Sequence, residues 1–417
     1  MKEKYYEQYF KKINQPIAFI LGNHLTTGLG VVRSLGYKNI PVVWLDYTPN
    51  QIGFHSKYCL GLHCPHPQKE KKYVDVLIRI GKNLNKKGVL FPISDNDVYV
   101  VSKHRGILEK YFVFPFSKLN IIDRMLNKKK FYQILQKHKM PHAKTFFPKN
   151  TSDVQKISKS ITFPCIVKPA YSGFFRADFK TKMFTARSKK DLIYKYTIAT
   201  EKNHELLIQE IIPGDVNHMY GFNAYYDSMH QCHGGFAYKR IREWPPKFGN
   251  GCFIKHTETI DLEEQVTLLM KKIKFSGIVD VEVKKDPRDN TFKFIEINPR
   301  LWMQNSLLTR FGINLPYISY QDALGERFDK IQVQNKDVTW VCMMLDVSSS
   351  YIRFKNGEMT LREWLFSLKG KKEYAIFSCN DPLPGLILGV MLLFTFLPNL
   401  YKSLKFQKEI IFMSKIE

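Results

Sequence analysis

The sequence predicts a protein of mixed α/β and α+β class: a doubly wound domain first, a body built on antiparallel strands after it, and a C-terminal extension with an apolar segment. Three observations carry this expectation. Residues 17–22 read as a buried strand, 27–35 as a helix opened by Gly28 and Gly30, and 42–46 as the next strand, which together make a βαβ unit. Residues 277–283 and 294–298 alternate apolar and polar side chains on either side of Pro287-Arg288-Asp289-Asn290, the composition of a hairpin turn. The chain has 417 residues, 44% of them hydrophobic, enough for two or three cores.

Within residues 1–120, Gly28-x-Gly30 lacks the third glycine of a dinucleotide fingerprint, so a nicotinamide cofactor has little support. A further strand over 89–93 runs into Ser94-Asp95-Asn96-Asp97, at the end where doubly wound sheets face their ligands. Asp95 and Asp97 read there as ligand contacts or as helix caps. Residues 123–139 place Met125, Phe131, Ile134 and Leu135 at helical spacing before Met140-Pro141 stops the helix. Lys128, Lys129 and Lys130 lie on its early turns, as a solvated basic face or as phosphate ligands. The short strand 163–167 delivers Lys168 at its end, where an ammonium is a point charge suited to phosphate oxygens.

The formal charge of +26 points to an anionic partner (nucleotide, nucleic acid or lipid) or to a lysine-rich composition with no such purpose. Seven scattered cysteines without a Cys-x-x-Cys pair argue against zinc and redox chemistry and fit a reducing cytoplasm. The first residues, Met1-Lys2-Glu3-Lys4-Tyr5-Tyr6, contain no apolar signal core, so a cytoplasmic location is expected.

The most informative stretch is Phe294-Ile295-Glu296-Ile297-Asn298-Pro299-Arg300. In a strand Glu296, Asn298 and Arg300 project to one side while Ile295 and Ile297 pack behind. Carboxylate and amide oxygens suit a hard cation and a guanidinium suits phosphate, although a solvated strand face would show the same alternation. The preceding strand adds Asp280 and Glu282, so a hairpin can present three metal ligands.

An acid followed, after a hairpin, by Glu-x-Asn-Pro-Arg resembles the magnesium site of the ATP-grasp superfamily, carboxylate-amine ligase type. The resemblance covers roughly residues 15–330. It implies a pre-ATP-grasp domain over 1–120, then a two-subdomain ATP-grasp fold (121–205 and 206–330), followed by an extension over 331–417. The implied activity is ATP-dependent activation of a carboxylate as an acyl phosphate, transfer to an amine or a thiol, and release of ADP and phosphate. Glu282, Glu296 and Asn298 would be the ligands of Mg2+, with Mn2+ as a substitute and Asp280 in reserve. Lys128 and Lys168 would bind phosphates beneath a loop over 170–176 that is poorer in glycine than is usual in the family. The strand 206–212, with Gln209, would hold adenine through backbone groups of Glu210 and Ile212. Asp215 would meet the ribose, or merely cap its Pro-Gly turn. Arg300, with Lys239 and Arg242 from a basic loop, would stabilise charge in the phosphoryl-transfer step. Small-molecule carboxylate and amine substrates are the expected partners, with a homo-oligomer left open.

Two other readings stand beside this one. Cations interleaved with aromatics over 237–249 resemble nucleic-acid-binding segments, but ATP-grasp better accounts for the rest. A nucleotide-binding module without turnover, at a membrane surface, is the second. The latter draws on residues 383–408: 383–398 are almost wholly apolar but shorter than the ~20 residues of a spanning helix, and lysines follow at 402, 405 and 408. That pattern fits either a buried helix or peripheral association with the inner face of the cell membrane.

Overall fold

A computed structural model describes residues 8–394 except 329–330, 332 and 335–336, and these form three sheets. In the first, β1 (Ala18–Leu21), β2 (Val42–Asp46), β3 (Cys59–His63), β4 (Gly88–Pro92) and β5 (Phe112–Val113) run parallel in the order β3-β2-β1-β4-β5. β1, β2 and β4 are buried along their whole length, which is why they read as unbroken apolar runs. Strand order reverses between β1 and β4, and the helices that follow them, α1 (Leu25–Gly36) and α2 (Asp95–Lys103), start beside that switch point. Gly28 serves packing: a Cβ on it would stand 2.2 Å from the Trp44 ring. Ser94, not an aspartate, caps α2, accepting from the Asp97 backbone N–H. Asp97 is fully buried beneath the Tyr73 hydroxyl, which donates to it at 2.7 Å.

The second sheet is antiparallel, in the order β6-β9-β7-β8, from β6 (Thr145–Phe146), β7 (Cys165–Pro169), β8 (Phe184–Ala186) and β9 (Leu206–Glu210). Two expected elements differ here. The helix foreseen over 123–139 breaks at Asn127, which leaves helical geometry and accepts from the Lys130 N–H, so that α3 (Lys128–Lys137) starts afresh. Residues 170–176, foreseen as an open loop, pass at once into α4 (Ser172–Phe179).

The third sheet has seven strands in the order β14-β13-β10-β11-β12-β15-β16. They are β10 (Met219–Tyr226), β11 (Cys232–Trp244), β12 (Asn250–His256), β13 (Gly277–Lys285), β14 (Phe292–Asn298), β15 (Val338–Val341) and β16 (Lys371–Tyr374). The expected hairpin is β13–β14, closed by Asn290 in left-handed geometry. Behind this sheet α5 (Ile260–Ile273) packs Leu262, Val266, Leu269 and Met270 onto Phe222, Ala224, Val279 and Val281.

Residues beyond 331, read from sequence as an extension, are built into the body. β15 and β16 enlarge the third sheet, and α6 (Met343–Lys355) and α7 (Leu361–Ser367) lie against it. Residues 383–394 form a last described helix, α8, whose Leu386, Val390, Leu393 and Phe394 are exposed, so this portion is not a buried core helix. The rest of the apolar and lysine-bearing stretch, 395–408, lies outside the described residues. Among the described residues no helix is long and apolar enough to cross a membrane.

A buried ion pair ties the end of the chain to the first domain. Arg33 of α1 donates from Nε to Asp381 at 2.9 Å, and Asp381 also accepts from Ser56 Oγ and the Lys57 N–H. Removing one partner strands the other charge in a dry site, which costs about 3–5 kcal/mol. Asp381→Ala is therefore expected to destabilise the protein by about that amount in chemical denaturation; an unchanged midpoint would show that the pair is dispensable.

Candidate functional site

β13 and β14 set Asp280 opposite Asn298 and Glu282 opposite Glu296, all on the sheet face away from α5. Two facing carboxylates repel unless cations separate them, and here each acid has its own. Lys128, brought to the start of α3 by the break at Asn127, contacts Glu296. Arg240 of β11 donates from Nη2 to Glu282 at 2.6 Å. Burial alone would push the Glu296 carboxyl up, but Lys128, with Lys182 and Lys168, outweighs it and holds the group at about 2. Arg240 is buried, shares Nη1 between the Gly249 carbonyl and Glu243, and keeps its Nε without a hydrogen-bond partner among the described residues. Such a donor is available to a ligand.

Lys168, at the end of β7, is buried and donates to Gln209 Oε1 at 2.7 Å; Gln209 in turn donates to Thr145 Oγ1 at 2.8 Å. Burial and the nearby Lys128 bring the Lys168 ammonium down to about 8. Asp280 is enclosed by three donors: Asn223 Nδ2 at 2.7 Å, Asn298 Nδ2 at 3.1 Å and the Tyr238 hydroxyl at 3.3 Å. Burial, reinforced by Glu282, raises its carboxyl to about 7. Asp280 thus fixes the amide of Asn298, whose Oδ1 faces Arg300 Nη2 at 3.2 Å. Arg300 also donates from Nε to Asp95 across to the first sheet. His24, after β1, lies in the same electrostatic neighbourhood: burial, then Arg300, lowers it to about 4. The switch-point crevice and the third sheet therefore meet at Arg300.

The structure brings together Lys128, Lys168, Gln209, Glu282, Glu296, Asn298 and Arg300. It does not bring Lys239 and Arg242 to them. Lys239 alternates with Arg240 and projects to the other face, its Nζ 5.5 Å from the Tyr220 ring centroid. Arg242 would share Arg240's face in a regular strand, but a bulge pairs Arg240 with Ile254 and Arg242 with Phe253, turning it over. There it grips Asp346 through Nε at 2.6 Å and Nη2 at 3.0 Å, stacks on Phe253 and reaches Ser367. A sequence has no mark for that bulge, which is why Arg240 was passed over for its neighbours. Lys182 was passed over too; it reaches from the second sheet to Asn250 Oδ1 at 3.1 Å and feels Glu296 and Glu282.

At the end of β9, the Glu210 N–H is spent on Lys144, and its carboxylate accepts from the Lys144 N–H and lies near Arg288. The Ile212 carbonyl accepts from Lys284 Nζ at 2.9 Å, as does that of Gly214 at 2.6 Å, so Lys284 ties this turn to β13. Asp215 caps its own turn, holding the Asn217 N–H and His218. Among the described residues no group of three or more His, Cys, Asp or Glu side chains is placed to hold a metal. The trio here has two carboxylates and an amide, which is the hard-oxygen set that Mg2+ takes alongside phosphate oxygens.

No protein-family profile matches the chain. It is 26% identical over 272 residues to D-aspartate ligase of Enterococcus faecium, covering 62% of this chain and 65% of that protein. It is 23% identical over 327 residues to the carbamoyl phosphate synthase large chain of Thermoanaerobacter pseudethanolicus, covering 73% of this chain but 29% of the relative. The chain thus spans just under two thirds of the first relative and under a third of the second. Among solved structures, the biotin carboxylase domain of Hydrogenobacter thermophilus 2-oxoglutarate carboxylase, crystallised with MgADP, ADP and bicarbonate, superposes with a TM-score of 0.59 at 16% identity, covering 76% of this chain and 72% of that one. With its parallel first sheet, its two antiparallel sheets and the Glu-x-Asn-Pro-Arg strand, the chain belongs to the ATP-grasp superfamily.

Proposed function

We propose that this chain is an ATP-dependent carboxylate-amine ligase acting through an acyl phosphate. The observation that carries the proposal is the facing pair Glu282 and Glu296, each matched to a cation and flanked by Asn298, Lys168 and Arg300. ATP would lie between the second and third sheets, with its terminal phosphates toward Lys128 and Lys168 and its base near the end of β9. Gln209 acts through Lys168, which it orients. Mg2+, when bound, offsets the charge of the phosphates, and Glu282, Glu296 and Asn298 are the residues that would hold it.

A substrate carboxylate oxygen forms a bond to the γ-phosphorus while the bond to the β,γ-bridging oxygen breaks and ADP departs. The amine nitrogen then forms a bond to the acyl carbon, phosphate leaves, and the amine loses a proton. Arg300 and Arg240 are the cations placed to stabilise oxygens that gain charge in these steps. D-aspartate ligase among the relatives makes amino acids the first class to try as substrates. The proposal also includes a cytoplasmic location, with the C-terminus associated peripherally with the membrane; the exposed apolar side chains of α8 and the +26 charge support that part.

ADP release measured over a panel of carboxylates and amines, amino acids included, tests the activity. Substrate-dependent release is expected, with Glu296→Gln lowering it on the order of 100-fold or more. Tight ATP binding with no release over the panel would favour a module without turnover. A pH series tests the nucleotide site separately. The charged form of Lys168 attracts phosphate, and its value of about 8 means that the charge is present below that pH and lost above it. Affinity for ATP is expected to fall as pH rises through 8, with proton uptake on binding detected by calorimetry in buffers of different ionisation heat. Binding without proton uptake near pH 8 would remove Lys168 from the phosphate site.

A further inference from the structure

We infer that α6 and α7 form a docking face for an anionic lipid surface. Both helices are amphipathic in the inverse sense to an ordinary surface helix. In α6 the buried side chains include Asp346, Ser349 and Ser350, whereas Met344, Val347 and Tyr351 form an exposed stripe at i, i+3 and i+7. The inward polar groups belong to the fold: Asp346 accepts from Arg242 and from Trp364 Nε1, and Ser349 Oγ donates to the Glu243 carbonyl. α7 has no buried residue at all. It is anchored by Trp364 and Ser367 on one side and by its Thr360–Glu363 capping box, and it turns Leu361, Leu365 and Phe366 to solvent at 59%, 53% and 68% exposure. A fold that holds two adjoining helices by their polar sides, leaving their apolar sides outward, presents a surface for a partner.

The charges choose the partner. Lys355 Nζ lies 4.9 Å from the Tyr351 ring centroid and Lys369 Nζ 4.8 Å from that of Phe366, so a lysine borders the apolar side chains on each helix. Apolar side chains bordered by snorkelling lysines suit a lipid interface, with the rings at the acyl boundary and the ammoniums at the headgroups. A second copy of the chain would bring another +26 charge against the first, whereas an anionic bilayer attracts it. This deepens the C-terminal membrane association proposed above and rests on it, moving the contact from the apolar tail onto folded helices.

Flotation of the full-length protein with phosphatidylcholine–phosphatidylglycerol vesicles, against phosphatidylcholine alone, tests the inference. The wild type is expected to float with the anionic vesicles, less so at high salt, and the double variant Leu365→Ser/Phe366→Ser to lose at least tenfold in binding while its ADP release in solution is unchanged. If wild type and variant float equally, the α6–α7 face is wrong although the association itself stands. If the wild type does not float, both fail. A wild-type dimer in sedimentation that the double variant abolishes would assign the face to a second copy and overturn the lipid assignment.

Discussion

Two glutamates face each other across an antiparallel ladder, and the rest of the site is arranged around their repulsion. Glu282 and Glu296 are cross-strand neighbours on β13 and β14, a placement that destabilises a sheet when both are ionised and unattended. The cations that attend them come from distant parts of the chain: Lys128 from the first turn of α3, and Arg240 from the far strand β11. Each arrives by a local irregularity, the break at Asn127 for one and the bulge after Arg240 for the other. The facing acids therefore fix where two other elements must end or kink, and they gather the negative charge that a divalent cation requires.

A second level of organisation joins the bodies that flank this pair. Arg300 continues the acidic strand and reaches Asp95 at the start of α2, so the switch-point crevice of the first sheet opens beside the metal-ligand set. On the other side, Arg33 and Asp381 fasten the C-terminal segment to α1, and Arg242 and Asp346 fasten α6 to β11. These two ion pairs are almost wholly buried. In such sites a matched pair is tolerated and a lone charge is not, which gives the chain fixed connections between segments far apart in sequence.

Much of this was legible in the residues. The βαβ start, the β13–β14 hairpin and the strand leading to Lys168 follow from strand-forming runs, turn residues and alternation, which act over a few positions. Alternation also ranked Glu296, Asn298 and Arg300 on one face. It failed between residues 239 and 242, because one extra residue in a bulge inverts the facing of everything after it and leaves no compositional trace. The helix over 123–139 has unbroken apolar spacing; what divides it is the Asn127 side chain capping a new start, a competition that periodicity alone does not weigh. The role of Asp280 as the holder of Asn298 depends on Asn223 and Tyr238, whose strands meet it only through tertiary pairing. β15 and β16 have four residues each and join the edge of a sheet whose other strands lie well before them, so the C-terminal segment read as an appendage.

The central claim is that Glu282, Glu296 and Asn298 hold a divalent cation together with a nucleotide. Titration of the protein with Mn2+ in the presence of ADP, followed by electron paramagnetic resonance of the free ion, addresses it directly. The wild type should take up Mn2+ in an ADP-dependent manner, and Glu282→Gln/Glu296→Gln should take up little at the same concentrations while keeping its thermal stability. Equal ADP-dependent uptake by the two proteins would contradict the assignment.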